Sequence, residues 1–148
     1  GACRSGAIVA NAPDEKENEL KDYGYQLGMA FQMADDLLDY TATAEELGKN
    51  PGADIREGKL TLPLIHSLEN AGPEDREWIL SVIKDTEFDP DRFAGLRDKI
   101  SDLGGIAYTE ERAVRHVETA RNALSVFEDS PSKTLLGLIA DYSIQRKV

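Results

Sequence analysis

Residues 20–40 constrain this chain more than any other stretch. Set out at 100° per residue, Leu20, Tyr23, Leu27, Ala30, Phe31, Ala34, Leu37 and Leu38 fall on one wide arc, and Met29, Met33 and Tyr40 extend it around the back. What remains is a narrow wedge of Gly24, Gly28, Gln32, Asp35 and Asp39, with Asp36 at its margin. A helix that is apolar nearly all round is usually buried, so the wedge is expected to face an interior cavity and not bulk water.

The rest of the chain reads with the same helical period. Breaks fall at Pro13, Pro51-Gly52, Ala71-Gly72-Pro73, Phe88-Asp89-Pro90, Gly104-Gly105 and Pro131, and no segment between them alternates as a strand would. Helices are predicted over 14–44, 61–71, 74–85, 91–103, 109–128 and 132–146, an all-α fold. Thr109 before Glu110-Glu111 and Pro73 before Glu74-Asp75 are read as helix starts, because acidic side chains favour the first turn. In 109–128 the stripe Ala113, Val117, Ala120, Leu124 and Phe127 is the packed face. In the last helix Leu135, Leu138, Ile139 and Tyr142 are assigned to the core, with a subunit interface as the alternative. The opening Cys3–Val9 resembles the end of a helix whose start is missing, so the sequence reads as a piece of a longer protein. With 148 residues, 41% of them apolar, it is expected to form one domain over 1–148.

Composition excludes several functions. No apolar run approaches the ~20 residues of a membrane span, and the first residues lack the order of a signal peptide, so a cytoplasmic protein is expected. The single cysteine, Cys3, makes no internal disulfide and reads as small core filler. A net charge of −11 argues against nucleic acid, which needs a basic face. It leaves diphosphates open, because they are bound locally by cations and a few lysines.

The chemistry centres on Asp35-Asp36-Leu37-Leu38-Asp39. Asp35 and Asp39 are i,i+4 neighbours and Asp36 and Asp39 are i,i+3, spacings at which like charges destabilise a helix unless a cation intervenes. Oxygen ligands without histidine or thiolate favour Mg2+, with Mn2+ as a substitute, over zinc. A solvated acidic face is the alternative reading. Downstream, Gly48–Lys59 forms a basic loop in which Pro51-Gly52 fits a type II turn and the glycines leave backbone amides accessible. Lys49 and Lys59 are placed to neutralise a diphosphate, Asp54 to orient a lysine or hold metal-bound water, and Thr61-Leu62-Pro63 to open a helix whose N-terminus favours an anion. An ordinary surface turn is the alternative here. His66 and His116 are read as structural or surface residues.

Together, Gly28–Asp39 and the loop from Gly48-Lys49 to Lys59-Leu60-Thr61-Leu62-Pro63 resemble the second aspartate-rich motif and following loop of trans-polyprenyl diphosphate synthases. The likeness runs from Ala2-Cys3-Arg4-Ser5-Gly6-Ala7 into the C-terminal helices and is diffuse after about residue 70. It implies the C-terminal half of a helical bundle of the isoprenoid synthase type, built around a deep cavity. It also implies a transferase of isoprenoid biosynthesis, a prenyltransferase that adds isopentenyl diphosphate to an allylic prenyl diphosphate and releases diphosphate. In that family two facing aspartate-rich motifs hold magnesium. The resemblance assigns metal binding to Asp35, with Asp36 and Asp39 directly or through water. Lys49 and Lys59, supported by Asp54, would hold the allylic diphosphate; Gln32 would contact substrate and Phe31 would line the cavity. The complete protein is expected to be a homodimer. This sequence carries one such motif, so by itself it is expected to have little or no synthase activity. Two rivals from other classes are a non-catalytic partner subunit and a generic metal-binding helical domain; the latter calls for a Glu-x-x-His pair that Glu118 and His116 do not supply.

Overall fold

The structure, a computed structural model, describes residues 1–42, 52–85 and 89–145. Among these, the chain forms α1 (Ala2–Val9), α2 (Asp14–Thr41), α3 (Ala53–Arg56), α4 (Leu62–Asn70), α5 (Pro73–Ile83), α6 (Pro90–Asp102), α7 (Gly105–Ala123), a 3-10 turn at Leu124–Val126, and α8 (Pro131–Tyr142), with no strand. The all-α expectation holds. No helix among the described residues is long and apolar enough to cross a membrane.

Helix starts follow proline more closely than the sequence reading had it. Pro73 opens α5, as expected, and Pro90 and Pro131 are the first residues of α6 and α8, one residue ahead of the predicted starts. Proline suits that position because its missing N–H would have no intrahelical partner there. Two of these starts are capped by side chains: Asp89 accepts the amides of Asp91 and Arg92, and Ser130 accepts that of Lys133 at 3.2 Å.

The predicted start at Thr109 is wrong. Helix α7 begins at Gly105, and Thr109 lies one turn inside it, fully buried, its hydroxyl donating to the Gly105 carbonyl at 2.8 Å. Only Gly104 turns the chain, at φ +78°, a left-handed conformation that favours glycine. Gly105 is needed for a different reason: a Cβ there would lie 2.3 Å from the Pro63 carbonyl oxygen. The two glycines look alike in sequence and serve a turn and a close helix crossing respectively.

By its contacts the chain divides into two compact units, Gly1–Ala34 with Arg112 onward, and Asp35–Glu111. In the first, Tyr23, Ala30, Val117, Ala120, Ala123, Leu124 and Ala140 form the core, with Cys3, Leu27, Phe127 and Leu136 packed against it. Small residues dominate it. The expected stripe of α7 is buried at Ala113, Val117, Ala120 and Leu124. Tyr23 is fully buried, and its hydroxyl donates to the Leu136 carbonyl at 2.9 Å; burial, with Cys3 nearby, pushes its pKa up to about 12.

Helix α8 is rotated relative to the sequence reading. Leu136 and Ala140 face the core, whereas Leu135, Leu138, Ile139 and Tyr142 are 42–67% exposed. The chain thus carries an apolar stripe at i, i+3, i+4 and i+7 on its surface. Periodicity identifies two apolar faces on this helix and does not say which one is covered.

His116 is biased toward its neutral form. Gln26 Oε1 accepts from Nδ1–H, and burial, reinforced by the Arg112 guanidinium, lowers the pKa below the usual histidine value. The unfolded chain therefore takes up a proton at higher pH than the folded one does. Stability contributed here is complete above the ordinary histidine pKa of about 6.5 and declines as pH falls below it. Urea midpoints at pH 8 and pH 5.5 should differ more in this chain than in His116→Gln; equal differences would exclude His116 as a source of the slope.

The second unit is built on Tyr40, Ile55, Leu64, Ile79, Phe93, Leu96 and Ile100, with α4 and α5 both packed on α6. Ser67, fully buried, donates to the Pro63 carbonyl at 2.8 Å and approaches that of Ile100 at 3.3 Å. These contacts form the floor on which the C-terminal end of α2 and the one-turn α3 are placed.

Candidate metal and diphosphate site

The three aspartates occupy one helical turn in three different environments. Asp35 is exposed, Asp36 is half-buried, and Asp39 is 3% exposed. Along α2 the packed stripe is Tyr23, Ala30, Ala34 and Leu37, and the opposite side remains open. The expectation of an enclosed wedge is not met in this chain: Gly28, Gln32 and Asp35 are exposed, and Phe31, placed on the apolar arc from sequence, is 42% exposed. Phe31 lies well off the centre of the packed stripe, about 80° around the helix from Tyr23. The wedge is covered at Gly24, against Cys3, and at Asp39, where α3 arrives.

That closure is specific. One Asp39 carboxylate oxygen accepts the Ala53 amide and the other the Asp54 amide, each at 3.1 Å. These are the first amides of α3, groups that have no partner within the helix, and an anionic acceptor suits them. Ahead of them Gly52 adopts φ +80°, as the second central residue of a type II turn does, and a Cβ on it would come within 2.7 Å of the Phe93 ring. The sequence reading left these amides open to a ligand; they are taken by Asp39.

After one turn the chain reverses at Gly58, φ +74°, and the Lys59 amide returns to the Asp54 carbonyl at 2.9 Å. The Lys59 ammonium consequently meets Asp54 Oδ1 at 2.8 Å and Glu57 Oε2 at 2.8 Å. These two carboxylates raise its pKa above the usual lysine value. The pairing of Asp54 with a lysine was legible in sequence; Glu57 as its second partner was not.

Tyr40 and Thr61 form a further buried contact, hydroxyl to hydroxyl. Thr61 does begin α4, as expected, but its hydroxyl is spent on Tyr40 and makes no cap. Burial raises the Tyr40 pKa well above the usual tyrosine range; the bond to Thr61 opposes this, and the charges of Asp39, Asp36 and Asp54 add to the rise. From sequence Tyr40 had been read as part of the apolar arc alone.

Lys49 and the loop from Gly48 to Pro51 lie outside the described residues. Among those described, no three histidine, cysteine or acidic side chains converge as a ready-made metal cage. The donor set still fits magnesium, which binds through one or two carboxylates and completes its shell with water and substrate phosphates. His66 stacks on Tyr108 with ring centroids 4.1 Å apart and is structural, as expected.

Residues 1–99 match the polyprenyl synthetase family. Octaprenyl diphosphate synthase of Escherichia coli is 37% identical over 149 residues, covering 98% of this chain and 45% of that protein. Geranylgeranyl diphosphate synthase of Methanosarcina mazei is likewise 37% identical, covering 99% of this chain and 43% of its own length. A crystal structure of polyprenyl synthase from Caulobacter crescentus, complexed with calcium and isoprenyl diphosphate, superposes with a TM-score of 0.88 at 36% identity, over 98% of this chain and 44% of that one. The chain thus spans a little under half the length of the relatives it matches. Two relatives of equal identity are named for different products, so identity does not discriminate product length. Matched over two-thirds of its residues, and sharing its helical fold with solved prenyl synthases, the chain belongs to the polyprenyl synthetase family.

Proposed function

We propose that this chain carries the second aspartate-rich half of a trans-prenyltransferase site, in a protein that adds isopentenyl diphosphate to an allylic prenyl diphosphate. One observation carries the reading: Asp39 ties the start of α3 to the aspartate-bearing turn of α2, so that Asp54 and Lys59 stand in the same unit as Asp35 and Asp36. Carboxylates for a cation and an ammonium for an anion are thereby brought to one place. A generic metal-binding helix has no need of the second.

Asp35 and Asp36 would hold magnesium, or manganese in its stead. A cation held there would supply positive charge to stabilise the diphosphate released when the allylic C–O bond breaks. Lys59, oriented by Asp54, binds the diphosphate oxygens, and Lys49 is assigned the same role. Such groups act by favouring the separated charge of the transition state over the intact ester. Gln32 contacts substrate, and the exposed Phe31 ring borders the path of the hydrocarbon. The isopentenyl double bond attacks the allylic carbon, and the departing diphosphate accepts the proton, so no histidine base is required. The complete protein is read as a cytoplasmic homodimer, with residues 1–148 forming one domain of it.

Two measurements test this. Mn2+ binding followed by electron paramagnetic resonance should tighten when inorganic diphosphate is added to this chain; no binding with diphosphate present would sink the metal reading. Incorporation of labelled isopentenyl diphosphate should depend on Mg2+ in the full-length protein and be near zero for these 148 residues alone. Robust turnover by this chain would overturn the need for the facing aspartate-rich motif.

A further inference from the structure

We propose that Asp39 is a positioning residue and not a metal ligand: its carboxylate fastens the start of α3 and thereby sets where Asp54 and Lys59 stand. The proposal rests on the metal-diphosphate reading above and divides the labour within the motif.

Sequence treats the three aspartates as equivalent; their surroundings do not. Asp39 is 3% exposed, and its two oxygens each accept a backbone amide, of Ala53 and of Asp54, at 3.1 Å. Charge-assisted bonds of this kind are stronger than neutral ones. Asp35, by contrast, is exposed.

The geometry also explains what the contact accomplishes. Gly52 brings the amides round to Asp39 in a left-handed conformation, and the Phe93 ring occupies the space that any Cβ there would need. The clasped amide of Asp54 belongs to the residue whose side chain holds Lys59 at 2.8 Å, and Gly58 folds Lys59 back to reach it. The order of dependence therefore runs from Asp39, through the Asp54 backbone, to the Asp54 carboxylate and the Lys59 ammonium. Helix α3 is a single turn and too short to hold that order by its own hydrogen bonds.

Asp39→Ala, Asp39→Asn and Asp35→Asn in this chain separate the roles. Two readouts are needed: hydrogen exchange at the Ala53 and Asp54 amides, and Mn2+ affinity in the presence of inorganic diphosphate. Asp39→Ala should speed exchange at both amides by about ten- to a hundredfold. Asp39→Asn keeps one oxygen acceptor and the side-chain shape, so it should recover part of that protection and hold Mn2+ affinity within about threefold. Asp35→Asn should leave the amides unchanged and weaken Mn2+ by at least about tenfold. Should Asp39→Ala fail to fold, Asp39→Asn carries the comparison alone. The proposal is overturned if Asp39→Asn weakens Mn2+ as much as Asp35→Asn does while both amides stay protected, which is how a direct ligand behaves. If Asp35→Asn leaves Mn2+ binding unaltered, the metal reading fails on its own, and exchange at Ala53 and Asp54 still decides for or against the clasp.

Discussion

Asparagine at position 35 should lower turnover of the full-length protein by about a hundredfold or more, with a raised magnesium requirement and an unchanged melting temperature. The asymmetry between activity and stability follows from where Asp35 sits. It is exposed, so losing its charge leaves no buried group unpaired. It stands one turn from Asp39, so the change removes a like-charge neighbour and, if anything, firms the helix by a few tenths of a kcal/mol. Asparagine keeps the shape of the side chain, which leaves the lost negative charge as the only large difference. Steady-state rates across a magnesium titration, beside a thermal melt, check both halves. An unaltered magnesium dependence would remove Asp35 from the site.

Gly105→Ala should be the most damaging small substitution to the fold. The added methyl would meet the Pro63 carbonyl oxygen at 2.3 Å, Ser67 Oγ at 2.5 Å and Ile100 Cγ2 at 3.1 Å. The first is backbone near the start of α4, and the second belongs to a side chain that is fully buried and bonded to that same carbonyl. Neither can swing aside, so α4 and α7 must separate. Overpacking of this kind costs about 1–3 kcal/mol, and losing the Ser67 bond adds about 1 kcal/mol more. In a domain of this size a total near 3 kcal/mol lowers the melting temperature by about 6–12 °C. Gly137→Ala is the control: it lies within α8 with nothing near its Cβ position, and it should stabilise by about 0.5–1 kcal/mol. If both variants melt alike, the close crossing at Gly105 does not bear on stability.

Much of the architecture was readable because prolines and capping residues act over one or two positions. The prolines of α5, α6 and α8 marked those helices within a residue, and the stripe from Ala113 to Leu124 named its own packed face. Errors arose where a residue's role depends on something distant in sequence. Gly105 and Thr109 were misread because the crossing with Pro63 is invisible locally. Leu135 and Leu138 were placed in the core because a helix with apolar residues on two sides does not declare which side has a neighbour.

The candidate site divides in the same way. Asp35, Asp36, Asp54 and Lys59 stood out by charge and spacing, and the Asp54–Lys59 pair closes within five residues. Asp39 shares that charge pattern, but its bonds reach 14 and 15 residues along the chain, to amides that carry no sequence signal at all. Tyr40 was passed over for a related reason, since its hydroxyl finds Thr61 only once α4 is in place.

The Lys59 ion pairs carry a last consequence, one of reciprocity. Its ammonium is shared between Asp54 and Glu57 and is 56% exposed, a setting in which ion pairs are weak and readily exchanged. An anion that captures Lys59 releases two carboxylates, and a cation that neutralises those carboxylates releases Lys59. Each arrival thus removes a competitor of the other, and by thermodynamic linkage the gain in affinity is the same in both directions. On the proposed reading, a cation and a diphosphate would each strengthen the other's binding at this pair of contacts.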